Sequence, residues 1–158
     1  MTTLSLQGVG VARGIAIGKV HLVERHQQDI VERKLEEGML EQEIARFRIA
    51  ISLARQQLRS ARAHVAQDAS DEVTAFIETH LLMLNDLSIT KEPINLIREH
   101  NCNAEWALKL QRDLLVAVFE EMDDQYLRTR KDDVDQVIQR IQRVLLDQGL
   151  KPHEQPDS

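Results

Sequence analysis

The sequence predicts a mainly α protein: a helical bundle of two packed helical hairpins, preceded by a short β segment. Three observations predict it. An apolar seam in alternating steps of four and three runs from Leu40 to Val65. Apolar residues at helical spacing continue as far as Leu145, with helix-capping residues and a proline between the runs. Four of the six glycines fall among β-branched residues between Gly8 and Gly18, which sets the opening apart from everything after it.

The opening stretch "GVGVARGIAIGKVHLV" reads as one or two short strands within residues 4–23, with the likeliest turn at Arg13-Gly14. Two short strands do not make a stable sheet alone. Residues 1–30 are therefore set apart as a strand segment, 31–149 as the helical domain and 150–158 as a polar tail. From about Lys34 a long helix carries Leu40, Ile44, Phe47, Ile51, Ala54, Leu58, Ala61 and Val65. This seam suits a coiled-coil dimer or packing within the chain, and the helices that follow favour the second, hence a monomer whose long first helix runs antiparallel to its neighbours.

Ser70 caps the second helix, with Asp71 and Glu72 complementing the helix dipole. Val73, Phe76, Ile77, Leu81 and Leu84 form one face suited to the core, while Ala75, Thr79, Leu82 and Met83, with Asp86, form another. A helix apolar on two faces is either enclosed or keeps one face for a partner, and its residues alone favour enclosure. A break falls at residues 85–89, before Pro93 opens a short helix with Ile94, Leu96 and Ile97. Asn103 caps the third long helix, on which Trp106, Leu110, Leu114, Val118, Met122 and Tyr126 recur at helical spacing. The last helix carries Val134, Val137, Ile138, Ile141, Val144 and Leu145 and ends at Gly149.

Composition narrows the function. A net charge of -6 disfavours broad nucleic-acid binding and suits a basic partner. The single cysteine, Cys102, excludes an internal disulfide and fits a reducing cytoplasm. No apolar run is long enough for membrane insertion and no signal peptide is visible. Glu-x-x-His pairs, a His-Glu-x-x-His motif, a Walker A loop and a dinucleotide fingerprint are all missing. His80, amid an apolar run, reads as a partly buried histidine hydrogen-bonded at an interface. Asp123-Asp124 and Asp132-Asp133 read as solvated charge near Arg128, Arg130 and Lys131. No catalytic constellation emerges.

Together "GVARGIAIGKV", "AFIETHLLMLND", "NAEWAL" and "MDDQYLRTRKDDV" resemble the N-terminal, HPr-binding region of Enzyme I. That family is the phosphoenolpyruvate–protein phosphotransferases of the bacterial phosphotransferase system, and its nitrogen-branch paralogue has the same layout. The resemblance implies that residues 4–23 are a strand of an α/β phosphohistidine domain, incomplete here because the phosphoacceptor half is not in this sequence. It also implies a cytoplasmic docking domain for the phosphocarrier HPr in sugar uptake, working with the remainder of Enzyme I and inactive in phosphotransfer alone. No cofactor is expected in this chain; the Mg²⁺ of the full-length enzyme would bind outside it.

Carried over position by position, the resemblance puts the docking surface at Asp71, Glu72, Ala75, Glu78, Thr79, Leu82, Met83, Asp86 and Ile89, with Arg130 nearby. It reverses the preference for an enclosed second helix. Leu87 and Ser88 stand where sugar-branch enzymes often have acids, and Arg13 replaces a common proline. The thinner acidic rim leaves HPr and its nitrogen-branch counterpart both open as partner. A stand-alone helical adaptor would account for the seam but not for the glycine-rich opening.

Overall fold

The computed structural model describes residues 29–65 and 70–149, with Gly14 and Gly18 as isolated positions. The strand expected within residues 4–23 and the tail from residue 150 lie outside the described residues. Six helices are found among the rest: α1 (Leu40–His64), α2 (Asp71–Met83), α3 (Leu87–Thr90), α4 (Glu92–His100), α5 (Ala104–Glu121) and α6 (Gln125–Gly149). The α1–α2 and α5–α6 hairpins pack together, and α3 and α4 carry the chain between them.

The long helix begins at Leu40 rather than near Lys34. Residues 31–35 are extended because their backbone pairs with the α4–α5 connection instead of with itself. Leu35 donates its N–H to the Asn101 carbonyl at 3.0 Å, and Asn103 donates to the Arg33 carbonyl at 3.1 Å. Lys34 and Cys102 thus face each other in an isolated antiparallel bridge. Gly38, at φ +83°, then turns the chain into α1 in a conformation that costs a glycine little.

Along α1 the seam is buried inside the chain from Ile44 to Leu58, reinforced by Ala50, while Ala61 is exposed. Its partners are α6, α4, α2 and α5. On α6, Val134, Val137, Ile138, Ile141, Val144 and Leu145 are all buried. That single stripe, at steps of three and four, is what a helix lying across a core requires. Arg46 on α1 reaches the Leu145 carbonyl on α6, and Arg62 near the end of α1 pairs with Glu78 on α2. Both neighbours therefore run antiparallel to α1. The helix α5 does not: Glu43, in the first turn of α1, accepts from the Ala104 N–H that starts α5, so these two begin at the same end.

The break expected at residues 85–89 is a turn followed by α3, where the Asp86 carboxylate accepts from the Ser88 N–H at 2.8 Å. Pro93 sits in the first turn of α4, where its missing N–H leaves no bond unmade. Asn101, at φ 49°, ends α4 in the left-handed conformation that asparagine tolerates.

Two faces differ from their sequence reading. The stripe Leu114, Val118, Met122 and Tyr126 is exposed, Leu114 at 58%, and Tyr126 belongs to α6. The buried face of α5 is Ala104, Glu105, Ala107, Leu108 and Gln111, continued by partly buried Leu115 and Phe119. Small alanines there let α5 approach its neighbours closely, which turns the bulkier stripe outward. On α2, Ile77 is buried, as is Leu84 just after it, and Leu81 packs against the core, but Val73 and Phe76 are 44% and 43% exposed. The helix meets α1 and α6 along one narrow line.

A charged cluster lies where α1, α5 and α6 converge. The Arg46 guanidinium donates to Glu43 at 2.6 Å and 3.1 Å, to Glu105 at 2.7 Å and to the Leu145 carbonyl at 3.2 Å. Asn103 adds a bond to Glu105 at 3.1 Å and one to the Val31 carbonyl at 3.3 Å. Burial pushes the Glu43 carboxyl up, but the bonds from Arg46 and the Ala104 N–H outweigh it and hold it below the usual range. Arg46→Met would remove the cation from two largely buried carboxylates, leaving Glu43 only the Ala104 N–H and Glu105 its bond from Asn103, and loss of one partner of a buried pair costs about 3–5 kcal/mol. Urea unfolding should register a loss of that order; a loss no larger than that of an exposed surface substitution would contradict it.

Candidate docking surface

The outer face of α2 is built by helical spacing. Asp71, Ala75, Glu78 and Leu82 follow one another at steps of four and three, and Ile77 and His80 are buried on the opposite side. Leu82 is 73% exposed, the highest value for a large apolar residue among the described residues. Around it Ala75 is exposed, Thr79 half-buried, and Met83 half-buried and packed against the core. Leu87, exposed at the start of α3, extends the apolar surface beyond the turn.

Acids border this surface. Asp71 and Glu72 are exposed in the first turn of α2, next to Ser70, whose side chain makes no capping bond among the described residues. Their charges favour the positive end of the helix dipole. Glu78 is engaged by Arg62 of α1 at 2.7 Å. Asp86 is exposed, and its bonds from Ser88 hold its carboxyl below the usual range, so it is firmly anionic at neutral pH. Ile89, by contrast, is a core residue at 2% exposure and cannot meet a partner. Its place in the assigned surface is corrected: the turn at Asp86 rotates α3 so that Leu87 faces outward and Ile89 inward.

Arg130 approaches from α6. It donates to the Tyr126 hydroxyl at 3.0 Å and lies 3.8 Å from Asp133, which in turn approaches His80 of α2. That contact places Arg130 on the α2 side of α6. Phe76 and Val73, which helical spacing puts on the face suited to the core, both contribute exposed apolar area on α2. A thirteen-residue helix apolar over so much of its circumference cannot bury all of it against two neighbours, but its spacing does not say which side chains stay outside.

Among the described residues no group of three or more His, Cys, Asp or Glu could hold a metal ion, and no helix is long and apolar enough to cross a membrane. His80 is 1% exposed, and neither ring nitrogen has a hydrogen-bond partner among the described residues, unlike the bonded interface histidine expected. Burial pushes its pKa down, against the pull of Asp133. The folded chain therefore resists the proton that the unfolded chain accepts. The stabilisation is complete above the ordinary histidine pKa of about 6.5 and is lost as pH falls below it. Melting temperature should drop on acidification through that window, and His80→Gln should flatten this part of the drop. Parallel curves for the two proteins would refute it.

Comparison with known proteins agrees with the architecture. Residues 7–130 match the family described as "PEP-utilising enzyme, N-terminal". A phosphoenolpyruvate-protein phosphotransferase of Cupriavidus necator is 38% identical over 141 residues, covering 89% of this chain and 24% of that protein. Its namesake in Listeria innocua is 33% identical over the same length, again covering 89% and 24%. The chain thus spans about a quarter of the length of these relatives. A solution structure of Enzyme I, nEIt, superposes with a TM-score of 0.69 at 27% identity, covering 75% of this chain and 48% of that one. A structure titled "N-terminal domain of Enzyme 1 - Nitrogen" gives 0.68 at 22% identity, covering 78% and 51%, and shows a shared fold. The helical bundle just described belongs to the N-terminal family of phosphoenolpyruvate-utilising enzymes.

Proposed function

We propose that this chain is the docking part of a phosphoenolpyruvate–protein phosphotransferase and that the outer face of α2 receives an HPr-type phosphocarrier protein. The observation that carries this reading is Leu82, exposed near the C-terminal end of α2, a helix whose other face is buried. Apolar anchors supply affinity and rim charges supply steering and selectivity. Asp71, Glu72 and Asp86 form the acidic rim, with Ala75, Thr79 and Met83 around the anchor; Glu78, tied to Arg62, shapes the edge more than it offers charge. A carrier with a basic patch fits such a face.

The reading places the protein in the cytoplasm, in phosphoryl transfer for sugar uptake, with the remainder of Enzyme I supplying the phosphoacceptor histidine and binding Mg²⁺. A nitrogen-branch enzyme with an HPr-like carrier is the second reading. The exposed apolar Leu87, in a position often acidic in the sugar branch, favours it.

Leu82→Ala should weaken carrier binding by about 1–2 kcal/mol in a calorimetric titration and leave the melting temperature unchanged. Leu84→Ala, a core change, should lower the melting temperature instead. If the Leu82 variant melts early or binds as well as the parent, the face is wrong. Glu72→Lys should act on association rate, with an effect that shrinks as salt is raised. Incubated with phosphoenolpyruvate and Mg²⁺, the chain alone should acquire no phosphohistidine; stoichiometric acid-labile phosphate on His80 or His64 would overturn that.

A further inference from the structure

Between α6 and α2, three side chains lead from the surface into the core. The Arg130 Nη1 lies 3.8 Å from Asp133 Oδ2, and the Asp133 Oδ1 lies 3.9 Å from His80 Nε2. One carboxylate thus faces a permanent cation on one side and a titratable ring on the other, within hydrogen-bond length of neither. The ring is buried beneath Phe76, with ring centroids 4.1 Å apart. On α6 the charged groups acting on it are Asp133 and Arg140. On α1, Arg55 is bonded to the Leu84 carbonyl and Arg62 to Glu78. Asp133 is therefore the anion placed to neutralise a protonated His80.

We propose that Asp133 is the positioning residue for Arg130 and that His80 controls it. Neutral His80 leaves the carboxylate to Arg130, which is held between Asp133 and Tyr126. A proton on His80 makes a buried cation that must be paired. A shift of about 1 Å brings Asp133 to a charge-assisted hydrogen bond with the ring and releases the guanidinium. Arg130 then keeps only its contacts with Tyr126 and loses its fixed orientation. The inference rests on the docking reading and names its regulation: a protonated His80 and a freed guanidinium make the acidic face less negative toward a basic carrier, so carrier binding weakens as pH falls.

The test has two independent arms. In the free protein, the side-chain carbon resonances of Arg130 are followed by NMR from about pH 8 to about pH 4.5, a range carried below that of an ordinary histidine because burial holds the His80 pKa down. They should shift with the His80 ring signals in the parent and stay still in His80→Gln and in Asp133→Asn, the latter also serving if the glutamine variant folds poorly. An Arg130 signal that ignores pH, or shifts equally in the variants, overturns the inference whatever the carrier does. In the second arm, binding of HPr should weaken about three- to fivefold over the same range, and His80→Gln should remove that part of the change. Absence of HPr binding at every pH would refute the docking reading and leave the NMR result to decide the Arg130 coupling. Binding whose pH profile is identical in parent and His80→Gln would refute the regulation alone.

Discussion

The Arg46 guanidinium is the point on which the arrangement of helices depends. It touches carboxylates on α1 and α5 and the Leu145 carbonyl on α6, so its five donors fix the relative position of three helices at once. Arginine is suited to this because its planar fork can serve several acceptors and its charge persists when desolvated. Through Asn103 and Glu105 the same cluster also holds residues 31–33. The described chain therefore enters and leaves at one end of the bundle. The outer face of α2 gains its freedom from that arrangement, since α1 and α6 are already fixed without it.

Much of this was legible in the sequence where one physical demand dominated. The α6 stripe and the α1 seam from Ile44 to Leu58 obey a single period because each helix buries a single face. The capped turn at Asp86 and the proline at the head of α4 follow from local backbone chemistry. The failures share a cause. On α5 the larger residues Leu114 and Val118 draw the eye, but the core takes Ala104, Ala107 and Gln111, because helix separation is set by the smallest side chains at the contact. The burial of Glu105 was invisible: nothing near it in sequence announces Arg46, fifty-nine positions away.

The same reasoning explains the two unlike faces of α2. Leu82 and Ile77 are alike in chemistry, and only the position of α1 and α6 decides which is covered. Phe76 ended half outside because His80, beneath it, occupies the interior. Ile89 went inward because the Asp86 turn resets the helical phase. Neither event is encoded in hydrophobic spacing within α2.

The narrow seating of α2 bears on motion. Its fully covered side chains are Ile77 and His80, and one of these is polar, whereas α6 is held by a continuous apolar stripe. Opening free energy follows such local burial. The helix offering its outer face is thus the segment whose amides should exchange with solvent while the rest of the bundle stays closed. A partner seated on Leu82 would couple its own association to the ordering of that segment, so affinity and local rigidity rise together.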